Sequence, residues 1–302
     1  MVDPRERALG SVLGLALGDA LGAPFEFRWA HNIPSPLPAF ELGWRGRPPG
    51  TWTDDTAMAR NLVRSLAERE GLDVDDVLRR HLEWFATSPP DIGNQTRLAL
   101  QEAQRGTPEA ARVVFERRGP EVSAGNGSVM YCAPLGIAYA RKPEELHDMA
   151  PALSAITHWD ERCRTACLAV TLAVAGLVRG DPGERAVVQA MSSMPGREGS
   201  EELEHLIENA GVTRPVDGPD QGFTLFTAGI ALRQAARELP FEAGLRDVVA
   251  LGGDTDTNAA VAGALLGALH GRGALPSAWL AKLADREAIE AEAESLAVLA
   301  GR

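Results

Sequence analysis

Gly10, Gly14, Gly18 and Gly22 fall four residues apart in a segment whose apolar residues, among them Leu9, Leu13, Ala16, Leu17 and Leu21, recur at helical spacing. A glycine inside a helix costs about 1 kcal/mol relative to alanine, so four on one face call for a packing reason. A stripe without Cβ atoms lets a second backbone come close. Gly263, Gly267 and Gly271 form another such stripe far along the chain. The two helices are expected to cross at their glycines in the centre of the fold, which commits the interior to helix-on-helix packing.

The remaining pattern agrees. Helical periodicity runs through 55–70, 74–87, 94–105, 108–118, 129–140, 143–156, 161–179, 183–192, 201–209, 222–238, 241–251, 255–270, 278–283 and 285–299, and no strand-period segment competes. Between 24 and 50 lie Pro24, Pro34, Pro36, Pro38, Pro48 and Pro49. That density excludes regular helix and reads as a long ordered loop of the kind that covers an active site. Helical patterning resumes after the loops at 195–200 and 211–222, and no repeat period is found. The expected fold is all-α, a single domain over 1–302.

Charge narrows the function. The formal net charge is −12, with 42 acidic against 30 basic residues, and no run of Lys or Arg interleaved with aromatics is present. This argues against nucleic acid or an anionic membrane as partner. The start of the chain mixes acid and base and does not read as a signal peptide. No apolar run stands out as a membrane span, the most hydrophobic stretch, 167–178, being short. Cys132, Cys163 and Cys167 are odd in number and fit a reducing cytoplasm. Cys163 and Cys167 lie one helical turn apart, but with no second ligand pair they read as small buried residues.

Two short segments carry the chemistry. Thr51-Trp52-Thr53-Asp54-Asp55-Thr56 and Gly252-Gly253-Asp254-Thr255-Asp256-Thr257-Asn258 each place two carboxylates and several hydroxyls where a loop enters an alanine-rich helix. Helix capping explains one such residue per helix. Paired carboxylates repel unless a positive charge sits between them, and here the composition occurs twice. Hard divalent ions take carboxylate, hydroxyl and water oxygens, and two facing segments could hold two ions about 4 Å apart. With no His or Cys ligand nearby, Mg²⁺ or Mn²⁺ is expected rather than zinc.

Two further features stay open on local sequence. Ser123-Ala124-Gly125-Asn126-Gly127-Ser128 precedes an expected helix near Val129 and could present amides to a phosphate, or be a plain turn with Asn126 left-handed. It is not a Walker A loop. His158 precedes a helix and could project into a cleft, although a lone histidine is more often a surface or capping group.

In order and spacing, Gly14-Leu15-Ala16-Leu17-Gly18-Asp19-Ala20-Leu21-Gly22, Trp52-Thr53-Asp54-Asp55-Thr56-Ala57, Gly125-Asn126-Gly127-Ser128-Val129-Met130, Thr157-His158 and Leu251-Gly252-Gly253-Asp254-Thr255-Asp256-Thr257 resemble the ADP-ribosylglycohydrolase family over about 7–280. The resemblance implies an all-α fold with a binuclear Mg²⁺ or Mn²⁺ centre. It implies Thr53, Asp54 and Asp55 as ligands from one side and Asp254, Asp256 and Thr257 from the other, with Asp256 bridging. Ser123 and the 125–128 loop would hold the diphosphate of ADP-ribose, His158 would lie near that diphosphate and its ribose, and Asp19 beside the site. Glu26 resembles a glutamate on a mobile loop that meets the metals, so Asp55, Asp256 and Glu26 are the implied catalytic acids. Ala124 stands where one branch has a tyrosine, which removes stacking from that position. The implied reaction is hydrolysis of the N- or O-glycosidic bond joining ADP-ribose to Arg or Ser of a protein. The alternatives are a small-molecule ADP-ribose conjugate as substrate, or a reader that binds ADP-ribose without turnover. A monomer is the expected state.

Overall fold

Alanine- and leucine-rich segments, cut by caps and prolines, form fifteen α-helices among the described residues, 2–301 of the computed structural model. They are α1 (Pro4–Gly22), α2 (Asp54–Arg69), α3 (Val74–Ala86), α4 (Asn94–Gln104), α5 (Ala110–Arg118), α6 (Ala133–Ala138), α7 (Leu146–Ser154) and α8 (Glu161–Arg179). There follow α9 (Gly183–Ser192), α10 (Ser200–Asn209), α11 (Thr224–Arg237), α12 (Phe241–Val249), α13 (Thr255–His270), α14 (Ser277–Leu280) and α15 (Arg286–Ala300). The fold is all-α, as the periodicity indicates, and most helix ends lie within two residues of the expected ones. Two expectations fail at prolines. The segment 129–140 is a 3-10 turn (Val129–Tyr131) followed by the short α6, and 143–156 is a 3-10 turn (Pro143–Glu145) followed by α7. Pro134, near the start of α6, has no N–H for the ladder and its ring crowds the preceding turn.

The centre is the pair α1 and α13. Every residue from Ala8 to Gly22 and from Thr255 to Leu269 is buried. A Cβ on Gly10 would collide with the carbonyl of Gly267, one on Gly14 with that of Gly263, one on Gly18 with that of Ala259 and one on Gly22 with that of Thr255. Numbers rise along one helix as they fall along the other, so the two run antiparallel with backbone against backbone. Gly271 ends the stripe: its backbone still lies against Gly10, while at φ 79°, just past α13, it caps the helix through an N–H bond to the Gly267 carbonyl. The stretch Pro4–Phe25 is long and apolar enough to cross a membrane, contrary to the sequence reading, but 94% of its most apolar window is buried inside the protein. It is therefore placed as a core helix.

The 24–50 loop carries the little strand present. β1 (Arg28–Trp29) pairs antiparallel with β2 (Gly252–Gly253), Arg28 opposite Gly253. The Phe27 N–H donates to the Gly253 carbonyl at 2.7 Å and the Ala30 N–H to Asp217 Oδ2 at 2.8 Å. The loop is thereby stitched to the residues that lead into α13.

Candidate active site

The α1–α13 contact determines where the two acidic segments meet. α1 ends beside the start of α13, where the Thr255 hydroxyl donates to the Gly22 carbonyl at 2.9 Å. One turn earlier, Asp19 is fully buried and accepts from four donors at the entry to α2: the Thr53 and Thr56 N–H groups at 3.0 Å and their hydroxyls at 2.9 and 2.6 Å. Burial pushes Asp19 up to about 6, against the opposing pull of the Thr56 and Thr53 bonds. Asp19 was expected beside the substrate. It does not line the cavity; its oxygens are spent on the first turn of α2, and it is a positioning residue.

Capping does not account for the other carboxylates. Neither Thr53 before α2 nor Asp254 before α13 makes a side-chain cap bond. Asp54 and Asp55 instead point from the first turn of α2 into a cavity of about 390 Å³, and Asp254, Asp256 and Thr257 enter the same space from α13. Gly252 and Gly253 make the turn at φ 69° and 72°, where an L side chain is strained and a Cβ on Gly253 would strike the Val216 carbonyl. Thr53 Oγ1 lies 2.9 Å from Asp19 Oδ1 and 3.2 Å from Asp55 Oδ2, one proton serving two acceptors. Asp55 Oδ1 is buried with no hydrogen-bond partner.

Glu26 and Asp91 complete the acidic floor. Their carboxylate oxygens and those of Asp256 lie within 4.8 Å of one another. Burial, then Asp91 and Asp254, push Glu26 up to about 8, with Arg45 opposing. Burial, then Asp91 and Asp19, push Asp54 up to about 7. Burial also holds Asp55 and Asp256 well above the usual carboxylate range and raises Asp91. Among the described residues the one side-chain cation paired with these acids is Arg45, 3.6 Å from Glu26 and 3.5 Å from Asp91. So many carboxylates with one guanidinium at their edge, and an orphaned buried oxygen on Asp55, form an all-oxygen donor set short of positive charge. That set fits hard divalent cations. Asp91 and Arg45 were not singled out in the sequence. Asp91 follows Pro89-Pro90 in an unremarkable connection, and no local signal marks it.

Across the cavity stands the glycine loop. Asn126 ties it to the floor, donating from Nδ2 to Asp254 Oδ2 at 2.9 Å and to Thr227 Oγ1 at 3.1 Å. Its N–H is taken by the Gly222 carbonyl at 3.0 Å, and its backbone is not left-handed. A Cβ on Gly127 would meet the His158 ring and Thr96 Oγ1 at 2.8 Å, so only glycine fits against the histidine. His158 lines the cavity, bonds Thr157 Oγ1 through Nδ1 at 2.9 Å, and is pushed down to about 3 by burial, hence neutral. Three expectations change here. The loop runs into a 3-10 turn rather than an α-helix. The Ser123 hydroxyl donates to the Gly119 carbonyl at 2.6 Å and the Ser128 hydroxyl pairs with Ser154 at 2.9 Å. Neither serine lines the cavity, so of 123–128 only Gly125, Asn126 and Gly127 do. The same wall gains Gln95 and Arg118, joined by a 3.1 Å bond and absent from the sequence reading.

Comparison with known proteins agrees with this architecture. The model of the ADP-ribosylglycohydrolase family matches residues 1–302. The chain is 34% identical to the ADP-ribosyl-[dinitrogen reductase] glycohydrolase of Rhodospirillum rubrum, over 98% of this chain and 97% of that protein. It is 28% identical to the ADP-ribosylarginine hydrolase Tri1 of Serratia proteamaculans, over 98% and 80% respectively. A solved structure described as an ADP-ribosylglycohydrolase-related protein complex superposes with a TM-score of 0.82 at 35% identity, covering 99% of both chains.

Proposed function

The chain belongs to the ADP-ribosylglycohydrolase family and is an enzyme of that type, and from this we propose a metal-dependent hydrolase that removes ADP-ribose from protein side chains. The observation that carries the reading is the pair of carboxylate segments meeting on one cavity floor, with Arg45 paired to Glu26 and Asp91 at its edge, opposite a glycine wall.

Thr53, Asp54 and Asp55 from α2, with Asp254, Asp256 and Thr257 from α13, would hold two divalent cations, Mg²⁺ or Mn²⁺. Such ions supply positive charge that neutralises the floor and makes a nearby water more acidic. The rest falls to the protein. Gly125 and Gly127, which leave room for close approach, and the guanidinium of Arg118 hold the diphosphate of ADP-ribose, with neutral His158 against its ribose. The distal ribose then lies over the floor. Water attacks its anomeric carbon, the bond from that carbon to the acceptor nitrogen or oxygen breaks, and a floor carboxylate (Glu26, Asp55 or Asp256) carries the water's proton to the leaving atom. Anchoring at both ends supplies much of the rate by orientation. We place the enzyme in the cytoplasm as a monomer, acting on an ADP-ribosylated protein and not on nucleic acid or membrane.

The test is release of free ADP-ribose from Arg-linked and Ser-linked peptides with Mg²⁺, Mn²⁺ or EDTA. Cation-dependent release that Asp256→Ala abolishes, together with weaker cation binding by calorimetry, is expected. Near-normal turnover by Asp256→Ala, or release undiminished by EDTA, would overturn the assignment.

A further inference from the structure

Asp54 and Asp91 belong to two cavities. They line the main one and also a smaller one of about 70 Å³, and they are the only walls that the two share. The smaller cavity is lined by three indoles, Trp44, Trp52 and Trp84, with Arg47, Thr53, Ala57 and Pro89-Pro90 completing it, so one guanidinium of the chain, that of Arg47, already stands at its wall. Trp52, Ala57 and Trp84 also line a neighbouring groove of about 340 Å³, whose charged residues are Arg60, Arg64, Arg80 and Glu83. A glycosidic substrate has two halves, one on each side of the bond that breaks. On the reading above, the main cavity takes the ADP-ribose half, and the proposal rests on that reading.

We propose that the Trp44–Trp52–Trp84 cleft is the acceptor subsite, receiving the leaving side chain of the modified protein, and that its chemistry suits a guanidinium. Aromatic faces beside carboxylates attract a planar cation, and Asp54 and Asp91 stand where the cleft meets the floor. These indoles already stack guanidiniums of their own chain: Arg45 lies 4.7 Å and Arg47 5.9 Å from the Trp44 ring, and Arg60 lies 5.4 Å from Trp52. The Trp52 indole N–H donates to the Ala284 carbonyl at 3.2 Å, which makes it a fixed wall. Trp84 is partly exposed, lines both the cleft and the groove, and has no ring or cation partner among the described residues. The cleft is small, about 70 Å³ against about 390 Å³ for the main cavity, which suits a side-chain head group. A serine O-glycoside presents no cation and gains nothing from the indoles.

Trp84→Ala and Trp84→Phe test this in the full, Mn²⁺-loaded protein. The readouts are the Kd of free ADP-ribose by calorimetry, and KM and kcat for release from Arg-linked and Ser-linked peptides. For Trp84→Ala we expect KM for the Arg-linked peptide to rise about five-fold, with the loss in KM rather than kcat. Kd for ADP-ribose and KM for the Ser-linked peptide should hold, and Trp84→Phe should recover most of the loss. An unchanged KM for the Arg-linked peptide, an equal rise for both peptides, or a parallel loss of ADP-ribose affinity overturns the subsite while the hydrolase reading stands. If the wild-type protein binds ADP-ribose but cleaves neither peptide, both proposals fall together.

Discussion

Gly22→Ala should damage the active site without touching a single functional side chain. A Cβ at this position would run into the Thr255 carbonyl and lie 2.6 Å from Asp256 Cα, where an ordinary contact is 3.4–4 Å. Every atom it meets is backbone, so no rotamer can yield; α1 and α13 must part by roughly 1 Å in a close-packed interior. Overpacking costs about 1–3 kcal/mol, and the helix propensity gained on leaving glycine returns up to about 1 kcal/mol. With an unfolding entropy of about 2.1 cal/mol/K per residue, a net loss of 1–2 kcal/mol lowers Tm by roughly 2–3 °C. The functional loss is the larger one, because a 1 Å misplacement of a reacting group can cost about 100-fold in rate. Gly10→Ala is the control. It makes the same kind of collision with the Gly267 carbonyl at the other end of the contact, so it should lose similar stability and keep its turnover. The assays are thermal melts in EDTA, Mn²⁺ calorimetry and ADP-ribose release. Wild-type activity in Gly22→Ala, or equal activity losses in the two variants, would refute the argument that this glycine sets the spacing of the acidic segments.

Two further outcomes follow from buried groups away from the substrate wall. Asp19→Ala leaves the Thr53 and Thr56 donors unsatisfied inside the protein, at a cost of about 2–4 kcal/mol. A urea midpoint unchanged from wild type would show that those bonds contribute nothing. His81 is fully buried, and its ring is pushed down to about 3 by that burial. The unfolded chain takes up a proton below its ordinary 6.5 and the folded one does not, so the contribution of His81 to stability is complete above pH 6.5 and is lost as pH falls toward 3. Between pH 7 and pH 5 the wild type should therefore lose about 2 kcal/mol more than His81→Phe does. Equal losses in urea titrations at the two pH values, in EDTA, would contradict a neutral His81.

The sequence carried the helix content, the glycine crossing and the two acidic segments because each is a local pattern with a physical reason attached. It did not carry direction. Ser123 and Ser128 lie in a motif, yet a serine's short side chain bonds whatever backbone or hydroxyl is nearest, and both turn away from the cavity. Asp19 reads as one more acid of the site until its four bonds to α2 are seen. Asp91 and Arg118 were missed for the opposite reason. Each is an ordinary residue in an ordinary stretch, brought to the cavity by tertiary packing over tens of residues; Arg45, from the proline-rich loop, pairs with Glu26 and Asp91 without lining the cavity. The breaks at 129–140 and 143–156 were legible in principle, since Pro134 and Pro143 stand at the starts of the pieces.

The glycine seam also sets a schedule for synthesis. α1 is made well before the surface it packs against, α13, which lies more than 200 residues later. At about 5–20 residues per second, roughly 10–50 s separate the emergence of the two. Throughout that interval α1 is an apolar helix long enough to pass for a membrane span, with a bare backbone stripe and no partner. Burial of the stripe and alignment of the two halves of the acidic floor are then one late event. A ribosome-bound chain stopped before residue 255 should expose α1 to chaperones and hold no assembled site, and release past α13 should bring compaction and cation binding together.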